Sequence, residues 1–304
     1  MNKNNIKGCL ILGLTALIWG AAFIAQSVGM DYIGPLTFTF CRSLLGMAVL
    51  FPVTLLVGKK PMGKALGYGD KRLLTAGTLS GVFLCAATVC QQIGIQYTTV
   101  GKAAFITALY IVFTPVVGML LGKQAGLPVW AGVLLGGAGM YLLCMTGETG
   151  MGKGDLIVLL CAVLFTGQIL VIDHFSSSVD CVRMSCIQFA VCTVLSGIAM
   201  LIFETPDMDA ILDCALPILY AGVMSSGVAY TLQIIGQKYA DVTPATLTMS
   251  LESVFAAMAG WILLREGMNG SEIVGCVLIF VAIVVAQVPM TRKKTCPKGA
   301  KKGR

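Results

Sequence analysis

Charge is what this chain has least of. Asp, Glu, Lys and Arg together make up 12% of its 304 residues, against about 25% in soluble globular proteins. Histidine is scarcer still, with His174 the one copy. No two cysteines stand at CxxC spacing and no carboxylates cluster, so the chain offers no metal-ligand set, no cofactor motif and little acid/base chemistry. Also missing is any stretch polar enough for a soluble domain or a disordered linker, apart from the tail after Met290. These absences weigh against a soluble enzyme, a metalloprotein and a nucleic-acid-binding module.

Apolar residues fill the space. They make up 57% of the chain, and the mean hydropathy is +0.88. The 36 glycines suit membrane helices, where small residues let backbones approach closely. The twelve cysteines mostly fall inside apolar runs and read as small buried thiols. About 20 apolar residues cross a ~30 Å hydrocarbon core. Ten runs qualify: Gly8–Val28, Pro35–Val57, Leu73–Ile93, Lys102–Leu121 and Pro128–Thr146, then Leu156–Phe175, Arg183–Phe203, Ala215–Gln233, Pro244–Leu264 and Ser271–Met290. The first, preceded by Lys3 and Lys7, has the outline of a signal peptide, but removing it would leave the first five runs one short.

The chain repeats itself. Gln91–Leu121 aligns without a gap on Gln233–Leu263, and Gln91/Gln233, Ile93/Ile235, Gly94/Gly236, Tyr97/Tyr239, Val100/Val242 and Ala103/Ala245 coincide. So do Leu109/Leu251, Val112/Val254, Phe113/Phe255, Gly118/Gly260 and Leu121/Leu263. A similar offset sets Trp19-Gly20 over Phe165-Thr166 and Arg42 over Gln188. Two copies of five spans each must lie upside down relative to one another. Such inverted repeats characterise secondary transporters, which bind a solute between their halves. The expected fold is therefore all-α and integral to the membrane, with repeats over 1–147 and 148–290 and a basic tail over 291–304.

Basic loop residues set the orientation. With both termini cytoplasmic, Lys3, Lys7, Lys59, Lys60, Lys64, Lys71, Arg72, Lys123, Arg183, Lys238 and the basic residues of the tail lie inside. Lys102, Lys153 and Arg265 lie outside. The tail reads as an anchor on anionic lipid rather than a nucleic-acid arm.

A charge inside a span is costly and points to function. Glu252, eight residues past Pro244, sits roughly 12 Å into the membrane, and Arg42 about 10 Å in from the opposite side, at 1.5 Å per residue. Their depths leave open direct pairing or bridging by a solute. Glu252 is the expected proton-coupling or substrate-ammonium carboxylate, and Arg42 the expected partner of a substrate anion or a structural staple. Polar stripes recur at helical spacing around them: Thr88, Gln91 and Gln92; Thr107, Tyr110 and Thr114; Ser226, Tyr230 and Gln233; Thr248 and Glu252. Singly these could be interhelical hydrogen bonds. Together they predict one polar cavity walled by Gln91, Tyr110, Tyr230, Gln233 and Thr248, with Trp19 beside it. Pro115 is expected to bend the fourth run next to that cavity.

The segments ALIWGAAF (16–23), FCRSLLGMAVL (40–50) and SLESVFAAMAGWILLRE (250–266) resemble the EamA-type proteins of the drug/metabolite transporter superfamily, and the resemblance runs from about residue 8 to 290. It implies a bacterial inner-membrane carrier of small metabolites, amino acids or toxic compounds, often an exporter. It also implies a central cavity with spans five and ten peripheral, and it matches Arg42 and Glu252 to residues common in the family. Ser253 stands where the family often has proline, and Lys123-Gln124 where the second copy has its closing Glu266. The expected function is secondary active transport by alternating access, with a small-molecule solute and protons as the coupling ion. A passive facilitator is the alternative, ahead of a membrane enzyme or a receptor without flux.

Overall fold

A computed structural model describes residues 3–57, 70–98, 100–122, 126–144, 152–263 and 270–286. The expectations placed on the basic tail, Lys59, Lys60, Lys64, Lys123, Gln124, Arg265 and Glu266 lie outside these residues. The described chain is helical, without a strand. The first half runs α1 (Lys3–Gly29), α2 (Pro35–Val57), α3 (Lys71–Ile95), α4 (Val100–Thr107), α5 (Tyr110–Leu120) and α6 (Leu127–Cys144). The second runs α7 (Lys153–Phe175), α8 (Cys181–Phe203), the short α9 (Met208–Asp213) and α10 (Ala215–Leu219). A π-helical segment (Tyr220–Ala229) then leads into α11 (Tyr230–Tyr239), α12 (Val242–Met249), α13 (Leu251–Leu263) and α14 (Gly270–Ala286).

Local chemistry sets several starts. Pro35 opens α2, where its missing N–H is no loss. Asp70 caps α3 by accepting from the Arg72 amide at 2.8 Å, and Asp180 caps α8 through Arg183 at the same distance. Among the described residues, seven stretches are long and apolar enough to cross a membrane: 4–29, 35–56, 71–95, 103–120, 153–175, 181–203 and 215–239. Leu127–Gly139 and Ile273–Ala282 are shorter apolar helices.

Two of the expected spans are broken. The fourth run divides at Ala108–Leu109 and the ninth at Ser250, positions that correspond in the repeat. At the first break the Ile111 and Val112 amides reach back three residues, to Ala108 and Leu109, instead of four. At the second, Ser253 does the same to Ser250. Pro115 does not mark the first break, which falls before α5 begins, and Ala257 holds its place in the second copy. Around the second break the hydroxyls of Thr246, Thr248, Ser250 and Ser253 each donate to a carbonyl three or four residues earlier, competing with the backbone ladder.

Packing follows an exchange pattern. α1 packs along α11 and the π segment, as α7 packs along α3. α1 meets α13, as α7 meets α4 and α5. α2 pairs with α8 and α6 with α14. The first of these crossings is built twice. A Cβ on Gly8 would lie 2.8 Å from the Gly236 carbonyl oxygen, and one on Gly154 would lie 2.9 Å from that of Gly94. A polar pair closes the end of each crossing. Asn5 and Asp241 exchange two hydrogen bonds of 3.1 and 3.2 Å, while Thr98 donates to Asp155 at 2.6 Å.

The outer faces stay apolar. Leu10, Leu14 and Leu17 on α1, Ile198, Leu201 and Ile202 on α8, and Ile273, Val277 and Phe280 on α14 are all exposed, as lipid-facing residues should be.

Candidate solute site between the halves

The two breaks flank one pocket between the helices. It is lined by Trp19, Phe23 and Gln26 of α1, Arg42 of α2, Gln91 of α3, Thr107 and Tyr110 at the first break, and Met249 and Glu252 at the second. Phe165 and Ile169 of α7, Ser225 of the π segment, and Tyr230 and Gln233 of α11 complete it. No described side chain of α6 or α14 is among them. The cavity is about 20 Å³, enough for about one water molecule.

Much of this wall is paired by the repeat. The register that superposes Gln91 on Gln233 also sets Thr107 on Met249 and Tyr110 on Glu252. The outer register, Trp19 on Phe165, also sets Phe23 on Ile169. All ten residues line the pocket, so equivalent positions of the two copies face each other across it. Tyr110 and Glu252 touch: the tyrosine hydroxyl donates to Glu252 Oε1 at 3.0 Å.

Gln26, Arg42, Ser225 and Tyr230 stand outside that pairing, and three of them form one cluster. Arg42, 3% exposed, donates through Nη1 to Gln26 Oε1 at 2.9 Å, through Nη2 to Ser225 Oγ at 3.0 Å and through Nε to Ser226 Oγ at 3.3 Å. It meets no carboxylate among the described residues. Arg42 and Glu252 thus share the pocket without pairing. Tyr230 lies under Trp19, ring centroids 4.7 Å apart, with the edge of Phe189 at 5.5 Å. The indole Nε1 of Trp19 is buried and has no hydrogen-bond partner.

The structure therefore brings Arg42, Glu252, Trp19, Gln91, Tyr110, Tyr230 and Gln233 together around one space. Thr248 does not line it. Its hydroxyl donates to the Pro244 carbonyl at 2.8 Å, and its methyl lies 4.0 Å from where a Gly13 Cβ would stand, so it faces α1. Gln91 donates to Thr107 at 3.2 Å, and Gln233 exchanges hydrogen bonds with Gln168 at 3.1 and 3.2 Å. Other stripe residues serve the frame. Thr88 donates to the Leu84 carbonyl at 2.8 Å and Gln92 to the Gln26 carbonyl at 3.0 Å.

Gln26 and Ser225 are the polar contacts the sequence reading missed. Gln26 had a signal, because Trp19, Phe23 and Gln26 are spaced i, i+4, i+7 on one helical face. Ser225 had none. Counting back from Tyr230 at helical spacing selects Ser226, and only the π turn brings the preceding serine to the same guanidinium.

The comparisons with known proteins agree with this architecture. The family model of the EamA-like transporter family matches twice, over residues 6–145 and 152–287. An uncharacterized transporter of Archaeoglobus fulgidus is 28% identical over 278 residues, covering 91% of this chain and 84% of its own. The uncharacterized transporter YoaV of Bacillus subtilis is 21% identical over 293 residues, covering 94% and 99%. A solved crystal structure superposes with a TM-score of 0.73 at 19% identity, covering 93% of this chain and 97% of that one, which speaks for the fold. With both halves of the chain matched, this protein belongs to the EamA-like transporter family.

Proposed function

We propose that the chain is a secondary active carrier of small solutes, driven by protons and working by alternating access from the plasma membrane. Its two five-helix repeats, 1–147 and 148–290, would be inverted, giving ten spans with both termini in the cytoplasm. The observation that carries this reading is the central pocket. It lies where two helices break at equivalent positions of the two copies, and it holds one buried cation and one buried carboxylate. Broken helices in corresponding places are where such carriers bind their solute.

The doubled crossings support alternation. On the inverted plan, Asn5–Asp241 closes the cytoplasmic end and Thr98–Asp155 the outer end. Both are made here, and the pocket has room for about one water molecule. Opening one crossing while the other holds would expose Arg42 and Glu252 to one side at a time. Glu252, tied by a single hydrogen bond to Tyr110, is the proton site, and export is the direction the reading favours.

The test is solute accumulation. Proteoliposomes holding the purified protein are incubated with a metabolite extract under an imposed pH gradient, and mass spectrometry reads their contents against protein-free vesicles. Accumulation that vanishes when the gradient is collapsed supports the carrier. Equal contents in both kinds of vesicle, or a solute chemically converted by the protein, would contradict it. A facilitator would fill the vesicles only to the outside concentration, gradient or none.

A further inference from the structure

We propose that the solute is a small organic monoanion, a carboxylate with an apolar body, which takes Arg42 from its present partners. This rests on the reading of the pocket as the solute's route. Arginine keeps its charge inside proteins, and a buried charge is costly unless an opposite one compensates it. Arg42 has no such partner. Gln26, Ser225 and Ser226 offer it three neutral oxygens, which satisfy three of its five N–H groups. These bonds carry charge on the donor alone, whereas a carboxylate would bring the opposite charge as well, and the guanidinium fork fits it with two parallel bonds. The three oxygens thus hold the positions an anion's oxygens would take at the guanidinium.

A second buried donor points the same way. Trp19 Nε1 is unpartnered on the wall of the same pocket. Much of the remaining wall is apolar, with Phe23, Phe165, Ile169 and Met249, which suits a hydrocarbon or aromatic body. Glu252 shares the space, so a second negative charge on the solute would meet a carboxylate rather than another cation. That selects against dianions. Because Arg42 belongs to α2 and the two serines to the π segment, an anion that captures the guanidinium also removes two hydrogen bonds between those elements.

The experiment uses the full-length protein in detergent and four probes sharing one body: 3-phenylpropanoate, 3-phenylpropanamide, 3-phenylpropylamine and benzylmalonate. Affinities come from titrated shifts of the melting midpoint. The carboxylate is expected to bind about tenfold or more tighter than the other three, in line with one charge-assisted contact. Arg42→Gln should bring it down to the level of the amide. Should that variant fail to fold, Ser225→Ala serves instead: it keeps the charge, removes a competitor and should tighten carboxylate binding. Amide or amine binding as tight as the carboxylate overturns the inference, as does Ser225→Ala leaving carboxylate affinity unchanged. The carrier reading has its own arm. A carboxylate that binds but never crosses the vesicle membrane sustains the anion site and defeats transport, whereas flux of the amine in its place sustains transport and defeats the anion site.

Discussion

Tyr110 and Glu252 occupy equivalent positions of the two copies, yet one donates and the other accepts, and they meet across the pocket at 3.0 Å. Divergence at paired positions has given this site its polarity: the frame is shared, and the charges are not. Most of it was legible in the sequence because buried charge and helical spacing are strong signals in an apolar chain. Arg42, Glu252, Gln91, Tyr110, Tyr230 and Gln233 were found that way. Gln26 was legible only as the third member of an otherwise aromatic stripe, and Thr248 misled because a threonine satisfied by its own helix looks the same in sequence as one facing a cavity. Tyr110→Phe removes the hydrogen bond to Glu252 and nothing else. It should cost ~1.5–3 kcal/mol, the usual range for a bond to a charged group, read by denaturant unfolding in detergent. It should also change the pH profile of uptake, whereas a purely structural contact would leave that profile in place.

At the scale of elements, helix positions were readable and helix irregularities were not. The apolar run Pro35–Val57 coincides with α2 end to end, because length, hydropathy and a proline start all agree. The break at Ala108–Leu109 and the π segment left no such mark, and the break at Ser250 left only the run of hydroxyls around it, which helical spacing alone does not single out. Close approach is the most exposed dependence. A Cβ on Gly154 would lie 2.8 Å from Tyr97 atoms and 2.9 Å from the Gly94 carbonyl, while one on Gly101 meets nothing within 4 Å. Gly154→Ala should therefore lose ~1–3 kcal/mol by overpacking, and Gly101→Ala should be neutral or slightly stabilising from helix propensity, both measured as melting midpoints. Glu204 makes a comparable tie between the end of α8 and the start of α2. Its carboxylate accepts from the Leu36 and Thr37 amides at 2.9 and 2.8 Å and from the Thr37 hydroxyl at 2.6 Å. Glu204→Gln weakens three charge-assisted bonds and should cost ~1–3 kcal/mol in the same assay.

For the whole molecule, composition and repeat conveyed the class at once. An apolar chain with two similar halves has to bury its few polar groups between them, and the exposed leucines and isoleucines of α1, α8 and α14 are the lipid side of that arrangement. What no sequence pattern conveyed is that the Asn5–Asp241 and Thr98–Asp155 contacts are made together, with room for about one water molecule in the pocket between them. The account then turns on whether the carboxylate at the second break couples proton movement to solute movement. The decisive measurement is time-resolved uptake of an identified solute into proteoliposomes under a pH gradient, for the wild type, Glu252→Gln and the Gly101→Ala control. The account predicts accumulation above the outside concentration for the wild type and the control, and simple equilibration or no entry for Glu252→Gln. Gradient-driven accumulation by Glu252→Gln equal to the wild type would contradict it and leave the carboxylate a structural group.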